Sequence, residues 1–547
     1  MKNIFKTTLL ITILSFFTSC ETGDLNLLEN PNSINAESAD PNFVLNDIQL
    51  TFNSVIGGYS GTSQRLVRQL NQFGAYSPVV DAITASNAPW RNSYAMLANI
   101  DLLNNINELD EDGIPNHVAV AQILEAYAYM LLVDYFGDVP FSEANIPEEF
   151  PDPTVDSGAL VYNAQIELLN EAIANLNVGS NRTPQDLYFG EFDASKWIAL
   201  ANSLKIRAYT NMRLVDPSGA AAGINATVSQ NYIDTVAEDF QFLYSDTGVP
   251  NDSRHPSFVG SYLAGGASGY MSNNFLDFLN AGDDQEPFVE TGTADPRLRY
   301  FLYRQTSAAP SGNNLPCSGS ADHDYCYVGN LYWGRDHADD AGIPNDVTKR
   351  STYGLYPVGG AFDRELFEQA RAAEETMEGA GLRPILLSSY VVFNLAETAL
   401  TLGTNGGSPI SLLEKGIRLS MQKTKDFAPT SISTINPDTN ENYAMTQSDI
   451  DTYVSTVVSE FNSASTDGKL EIIARESFIA NWGNGIEAYN TYRRTGYPNL
   501  QTPILAAGPF PRNWRYSNDE VVNNPNIDQQ STTVRVFWDN NPPEFID

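Results

Sequence analysis

Between residues 317 and 340 the chain reads CSGSADHDYCYVGNLYWGRDHADD, an unusual density of side chains able to hold a ligand. Tyr325, Tyr327, Tyr332 and Trp333 supply flat apolar rings, and Arg335, Asp336 and His337 supply polar groups beside them. Rings of this kind can lie on the C–H face of a pyranose while planar polar groups grip its hydroxyls. The competing reading is a small core packed beneath a loop. Cys317 and Cys326 sit in the same stretch. In an exported protein a close cysteine pair is most simply a disulfide, removing roughly 2–3 kcal/mol of unfolded-state entropy. The rival is a zinc site from Cys317, His323, Cys326 and His337, but C-x5-H-x2-C-x10-H matches no common zinc spacing.

Catalytic signals are thin. The sequence has no HExxH, no G-x-S-x-G, no P-loop and no dinucleotide fingerprint, and its histidines number four. Carboxylate pairs suited to glycoside hydrolysis arise by chance among 67 acidic residues, so they carry no information. ELDEDG, with Glu108, Asp110, Asp112 and Gly113, resembles the start of a calcium loop, but Ala119 stands where a bidentate Glu belongs. The run around Asp336, Asp339 and Asp340 is a second such stretch. No metal or other cofactor is assigned, and a structural calcium stays an open alternative.

The export reading comes from the N-terminus. Lys2 and Lys6 precede an apolar run from Thr7 to Phe17, followed by Thr18, Ser19 and Cys20. A spanning helix needs roughly 20 apolar residues, so this run reads as a secretion signal. A cysteine at its end fits a lipoprotein signal, in which the thiol is acylated before cleavage leaves it N-terminal. Residues 1–19 are therefore expected to be the signal peptide, Cys20 the lipidated residue, and 20–40 a tether. More than one acyl chain is needed for firm anchoring. Downstream, no second stretch reads as a membrane span.

The formal charge of −36 is spread along the chain, which disfavours nucleic acid and anionic polymers as partners. It argues mildly for a neutral ligand.

Helical elements must hold the irregular segment in place. Ala121, Leu124, Ala128, Leu131 and Tyr135 step by three and four residues, a helical stripe ended by Gly137 and Pro140. Trp197, Leu200, Leu204, Ala208 and Met212 repeat the pattern, and a second helical block covers about 385–495. Trp90, Trp197 and Trp482 lie on or beside such stripes and read as core. Arg493 and Arg494 fall where a helix end would favour cations. Paired helices with alanine at close-packing points suggest tetratricopeptide-like stacking. Between about 216 and 384 the chain is rich in Gly, Pro, Asn and Asp, the composition of long loops that carry binding.

YMLLVDYFGDVPF (129–141), KWIALANSLKIRAY (196–209), LLEKGIRLSM (412–421), IIARESFIANWGNGIEAYNTYRRTGYPNL (472–500) and the terminal RVFWD (535–539) occur in that order. Together they resemble the SusD/RagB family of surface glycan-binding lipoproteins. The resemblance implies a mainly α fold, a tetratricopeptide-like scaffold with an irregular ligand-binding region. It covers one domain over 41–547, with scaffold at about 41–215 and 385–495, binding region at 216–384 and a C-terminal extension at 496–547. It implies a non-enzymatic role at the cell outer membrane, capturing an oligosaccharide for a SusC-like TonB-dependent transporter. Among neutral glycans, a β-glucan such as laminarin is the working expectation; a peptide ligand and, from another class, a surface glycosidase are the alternatives. Such a fold would also bring YSPVVDAITASN (76–87) to the ligand face, with Tyr76, Asp81 and Asn87 as its contacts.

Overall fold

The computed structural model describes residues 36–280, 293–342 and 345–541. The expected signal peptide and Cys20 lie outside the described residues.

The fold is mainly α. Five long helices come first: α1 (Pro41–Leu66), α2 (Asn87–Leu109), α3 (Pro115–Phe136), α4 (Gly158–Val178) and α5 (Ala194–Met212), followed by the short α6 (Pro217–Thr227). A second block holds α8 (Ser388–Leu402), α9 (Pro409–Phe427), α10 (Gln447–Ser463), α11 (Thr466–Ala480) and α12 (Gly485–Thr495), with α7 (Asn273–Asn280) between the blocks. Neighbours in sequence pack as pairs: α1 on α2, α3 on α4, α5 on α6 and α8 on α9. The blocks are joined by α12 lying on α1 and α8 lying on α5.

Helix α3 is the centre. Pro115 opens it, where a missing N–H costs nothing, and Gly137 at φ 80° closes it. Ala121, Leu124, Ala128, Leu131 and Tyr135 are all buried, but so is almost every other position on the helix. An apolar stripe would have sufficed for a surface helix; one buried all round is surrounded by protein. The expectation of no second membrane-length segment needs correcting on this point. Pro115–Phe136 is long and apolar enough to cross a bilayer, yet 89% of that window is buried inside the protein.

Polar groups tie the helices together. Asp134 of α3, fully buried, accepts from Arg207 Nη2 (2.7 Å), Asn490 Nδ2 (2.8 Å), Trp538 Nε1 (2.9 Å) and the Tyr162 hydroxyl. One carboxylate thus joins α3, α4, α5, α12 and the C-terminal segment. Arg494 does the same between blocks, with Nε and Nη2 each 2.7 Å from the two oxygens of Glu397 and Nη1 2.7 Å from Asn211. Arg493 and Arg494 therefore do more than complement a helix end: they are buried, and Arg493 lies 3.9 Å from the Tyr489 ring centroid. Trp197 and Trp482 are fully buried and Trp90 nearly so, all three in the core.

The segment between the blocks has short elements only. Strand β1 (Phe240–Leu243) pairs antiparallel with β6 (Leu382–Leu386), bringing the segment back to α8. Strand β2 (Met271–Ser272) runs parallel to β4 (Gly334–Arg335), and β3 (Leu302–Tyr303) antiparallel to β5 (Thr352–Tyr353). Gly334 permits the β2–β4 contact, because a Cβ there would come within 2.8 Å of the Met271 carbonyl oxygen.

Candidate functional site

The two sequence segments singled out for ligand contact meet. After α1 ends, the chain passes through Arg68 at φ 62° and runs along β2, with Leu70 bridged antiparallel to Met271 and the Asn71 N–H donating to the Tyr270 carbonyl at 3.0 Å. Phe73 then bridges parallel to Ala338; the Ala338 N–H donates to the Gln72 carbonyl (2.9 Å) and the Gly74 N–H to the Ala338 carbonyl (3.2 Å). Gly74, at φ 62°, turns the chain into the 76–87 stretch. Tyr76 closes the join, its hydroxyl 2.9 Å from His337 Nε2.

Joining the segments consumes most of the side chains expected to bind. Trp333 is 5% exposed and its indole N–H donates to the Ala308 carbonyl (3.3 Å). Tyr325 and Tyr332 are buried in the main core, and Tyr327 is half-buried with its hydroxyl accepting from the Leu331 N–H at 2.8 Å. Arg335 is ion-paired with Asp339 at 2.8 Å. Asp336 accepts from Asn273 Nδ2 (2.5 Å) and the Cys326 N–H (3.0 Å), while burial raises its carboxyl above the usual range against these bonds. Burial, helped by the charge of Arg68, holds His337 neutral. Most of these residues form the packing beneath the surface; of the rings, Tyr327 stays half-buried and Tyr332 lines a neighbouring cavity.

The 76–87 candidates divide similarly. Tyr76 is buried. Asp81 accepts from the Ile83 and Thr84 N–H groups, both at 2.7 Å; burial works against ionisation, but the bonds from Thr84 and Ile83 hold its carboxyl below the usual range. Asn87 accepts from the Ser517 hydroxyl and the Asn518 N–H, both at 2.8 Å, so it anchors the C-terminal segment.

Cys317 and Cys326 are joined in a disulfide, so both thiols of the zinc alternative are taken. Asp110 pairs with Arg182 at 3.0 Å in the α2–α3 turn. Among the described residues no group of three or more His, Cys, Asp or Glu side chains is placed to hold a metal ion.

Open space lies beside the join. A cleft of about 530 Å³ is bounded by the end of α1, residues 70–73, 78–85 and 268–271, and Tyr353. Its size is within the range of small-ligand sites. Phe73, 48% exposed, meets Tyr270 edge-to-face at 5.9 Å. Tyr270 is fixed: the Arg350 guanidinium lies 4.1 Å from its ring centroid and that of Arg335 5.0 Å, and its hydroxyl donates to Asp346. Burial and that bond push the phenol up to about 12. Gln72 Nε2 donates to the Phe73 carbonyl at 2.8 Å and steadies the loop. Arg65 is the one charged side chain among the described lining residues.

A second cavity, of about 430 Å³, is lined by Tyr332, Arg299, Arg304, Glu365 and Tyr443. Its polar groups already serve one another: Arg299 and Arg304 both bond Glu365, at 2.9 and 3.1 Å, and Arg304 bonds Asp363 at 2.7 Å. The first cleft differs, because Asn71 on its wall keeps both amide atoms without a partner among the described residues.

Sequence reasoning passed over Asn71, Phe73 and Tyr270. The available signals were the polar-aromatic run QLNQFGAY shortly after α1, in which Phe73 stands three residues before Tyr76, and an aromatic residue within GGASGYMS.

Two family models match the chain: one described as starch-binding, associating with the outer membrane, over residues 34–314, and one described as SusD and RagB outer membrane lipoprotein, over 367–532. No curated protein matches the sequence. Among solved structures, a chitin-binding protein superposes with a TM-score of 0.62 at 21% identity, covering 92% of this chain and 100% of its own. A SusD homolog from Bacteroides uniformis gives 0.64 at 19% identity, covering 91% and 99%. A chitin-binding SusD homolog from Flavobacterium johnsoniae gives 0.60 at 18% identity, covering 92% and 100%.

Proposed function

The chain belongs to the SusD/RagB family, a glycan-binding family of the outer membrane, and on that premise we propose that it captures an oligosaccharide in the cleft beside Phe73 and hands it to a TonB-dependent transporter. In this reading acylated Cys20 holds the protein on the outer face of the membrane.

The observation that carries the proposal is the junction of Phe73, Tyr270 and Asn71 at one cleft. Phe73 offers half its ring to solvent, and Tyr270 and Gln72 keep it from collapsing. Sugar stacking needs that kind of face, an exposed ring on a fixed support. Among the described lining residues Arg65 alone is charged, which supports a neutral glycan. A β-glucan such as laminarin is one neutral candidate; chitin, named for two of the similar structures, is another.

The test is calorimetric titration of the purified protein against a panel of neutral and acidic polysaccharides, with Phe73→Ala alongside. Binding to at least one glycan, weakened in the variant, supports the reading. Absence of binding across the panel, or hydrolysis of labelled oligosaccharides by the pure protein, would sink it.

A further inference from the structure

Most glycines of the chain have a visible structural reason. Either φ lies in the left-handed region, or a Cβ would run into a neighbour, as at Gly57 against the Arg383 guanidinium and at Gly58 against Pro89. Among the described residues Gly61, Gly269 and Gly342 have neither reason: their φ is not left-handed and a Cβ would meet no atom within 4 Å. Two of these three stand at the cleft beside Phe73. Gly269 lines it, and Gly61 lies next to Thr62 and one helical turn before Arg65, which line it too. A glycine inside a helix costs stability relative to alanine, and no internal contact of α1 accounts for Gly61. Gly269 is half-buried, and its N–H and carbonyl bond no other described residue. Bare backbone of this kind suits close approach by a ligand.

We propose that Gly269 and Gly61 set the specificity of the cleft by keeping side chains out of it, so that it admits an unbranched glycan chain and refuses one that is branched where it passes Phe73. The inference rests on the glycan reading of the same site and narrows its ligand class. A sugar lying on the exposed face of Phe73 is flanked by residues 268–271, whose Tyr270 supports that ring. There a hydroxyl can accept from the Gly269 N–H or donate to its carbonyl, provided no Cβ holds it off. On α1 the missing side chain at Gly61 extends the open wall by one turn from Arg65. One turn is about 5.4 Å, roughly the length that one sugar adds to a chain. A side branch at this point would have to occupy the space that the bare backbone leaves for the main chain.

Three pairs of oligosaccharides make the test, each an unbranched hexamer and a counterpart with the same backbone and single-sugar branches: β-1,4-glucan with xylose, β-1,4-mannan with galactose, and β-1,3-glucan with β-1,6-linked glucose. All six, and the glycan bound best in the wider panel, are titrated into full-length wild type, Gly269→Leu, Gly269→Ala and Gly61→Ala, with thermal melts of each protein. Wild type should bind an unbranched member at least about tenfold more tightly than its branched counterpart, as a steric clash in a fixed site implies. Gly269→Leu should lose at least about tenfold in affinity for the bound glycan, and Gly269→Ala less. Both should melt with wild type, because the new side chain meets nothing in the protein. Gly61→Ala should melt higher than wild type and yet bind more weakly, a pairing that a merely structural glycine would not give. Equal wild-type affinity for the two members of a bound pair overturns the inference. So does Phe73-dependent glycan binding that Gly269→Leu leaves unchanged, an outcome in which the glycan reading stands. No binding to any glycan overturns both. Should Gly269→Leu fold poorly, Gly269→Ala decides, and unchanged affinity there overturns the inference.

Discussion

Asp134 and Asn71 are both almost completely buried polar side chains, and the fold treats them in opposite ways. Asp134 collects four donors from four elements. Asn71 collects none among the described residues. Asp134 is a hub that holds elements together, whereas Asn71 joins nothing through its side chain, a condition it shares with Gln165 of α4. A buried ion that is fully hydrogen-bonded fixes geometry, whereas a buried amide without partners carries its desolvation cost uncompensated. The contrast extends to the arginines. Arg207, Arg493 and Arg494 are buried and bonded, whereas Arg65, at the cleft, is exposed.

The hub should break most severely. Asp134→Ala leaves Arg207, Asn490, Trp538 and Tyr162 without a shared acceptor in a dry interior. Removing one partner of a buried charge pair costs about 3–5 kcal/mol, and urea melts should show a loss of that order. Asn71→Leu, measured in the same way, should lose nothing. A small loss at Asp134 would mean that Glu487, 2.7 Å from Arg207 Nε, carries the frame by itself.

Next in size is Trp333→Ala. With the indole 5% exposed and bonded to Ala308, truncation should cost about 3 kcal/mol of stability, as for other buried tryptophans. Glycan affinity per folded molecule should be kept. A variant that melts like wild type but binds weakly would return Trp333 to the ligand face, where its residue type first suggested it.

That residue shows how far the sequence could be read. The helices were legible because burial repeats every three to four residues: the α3 stripe and the Trp197 stripe are visible in letters and buried in space. The meeting of the 76–87 and 325–337 stretches followed from the family resemblance. Which rings face outward did not follow. Trp333 and Phe73 are both aromatic residues in loops, and what separates them is the β2–β4 contact, a pairing between positions more than 60 residues apart. Asn71 was hidden for a related reason, since a lone asparagine has meaning only once its neighbours are known to leave its amide unpaired. Arg494 was read from its position at a helix end, and its partner Glu397 lies 97 residues away.

Phe73→Ala sharpens the cleft side of the contrast. Loss of a stacking face should weaken the glycan by about 1–2 kcal/mol, by analogy with aromatic pairs and cation–π contacts, or roughly five- to thirty-fold in Kd. Because the ring is half exposed, the melting temperature should hardly move. A large stability loss with unchanged affinity would exchange the roles of Phe73 and Trp333.

The smallest effect expected is that of pH on affinity, and it divides the two regions again. Burial, with the charge of Arg383, lowers His255 from 6.5 to about 3; burial, with Arg182 and against Asp40, lowers His117 to about 4. The unfolded chain binds a proton at each histidine near pH 6.5, whereas the folded chain resists until about 4 and about 3. Between those limits each histidine leaves the unfolded state holding more protons, so the stability that depends on the two histidines is fully present above about pH 6.5 and is lost progressively as pH falls through that window; Glu125, pushed up to about 8 by burial, contributes in the opposite sense, with stability lost as pH rises toward 8. His255→Asn should flatten part of that slope, and asparagine can still accept the Ser257 N–H that His255 Nδ1 accepts at 3.1 Å. At the cleft, Tyr270 is raised to about 12 and Asp81 at its edge is held below the usual carboxylate range, both away from that window. Titrations at pH 5.5 and 8 should therefore give the same Kd, while the change in melting temperature between those pH values should differ between wild type and His255→Asn. A Kd that rises at pH 5.5 along with the loss of stability would place one of the buried histidines, His337 behind Tyr76 first among them, in contact with the ligand after all.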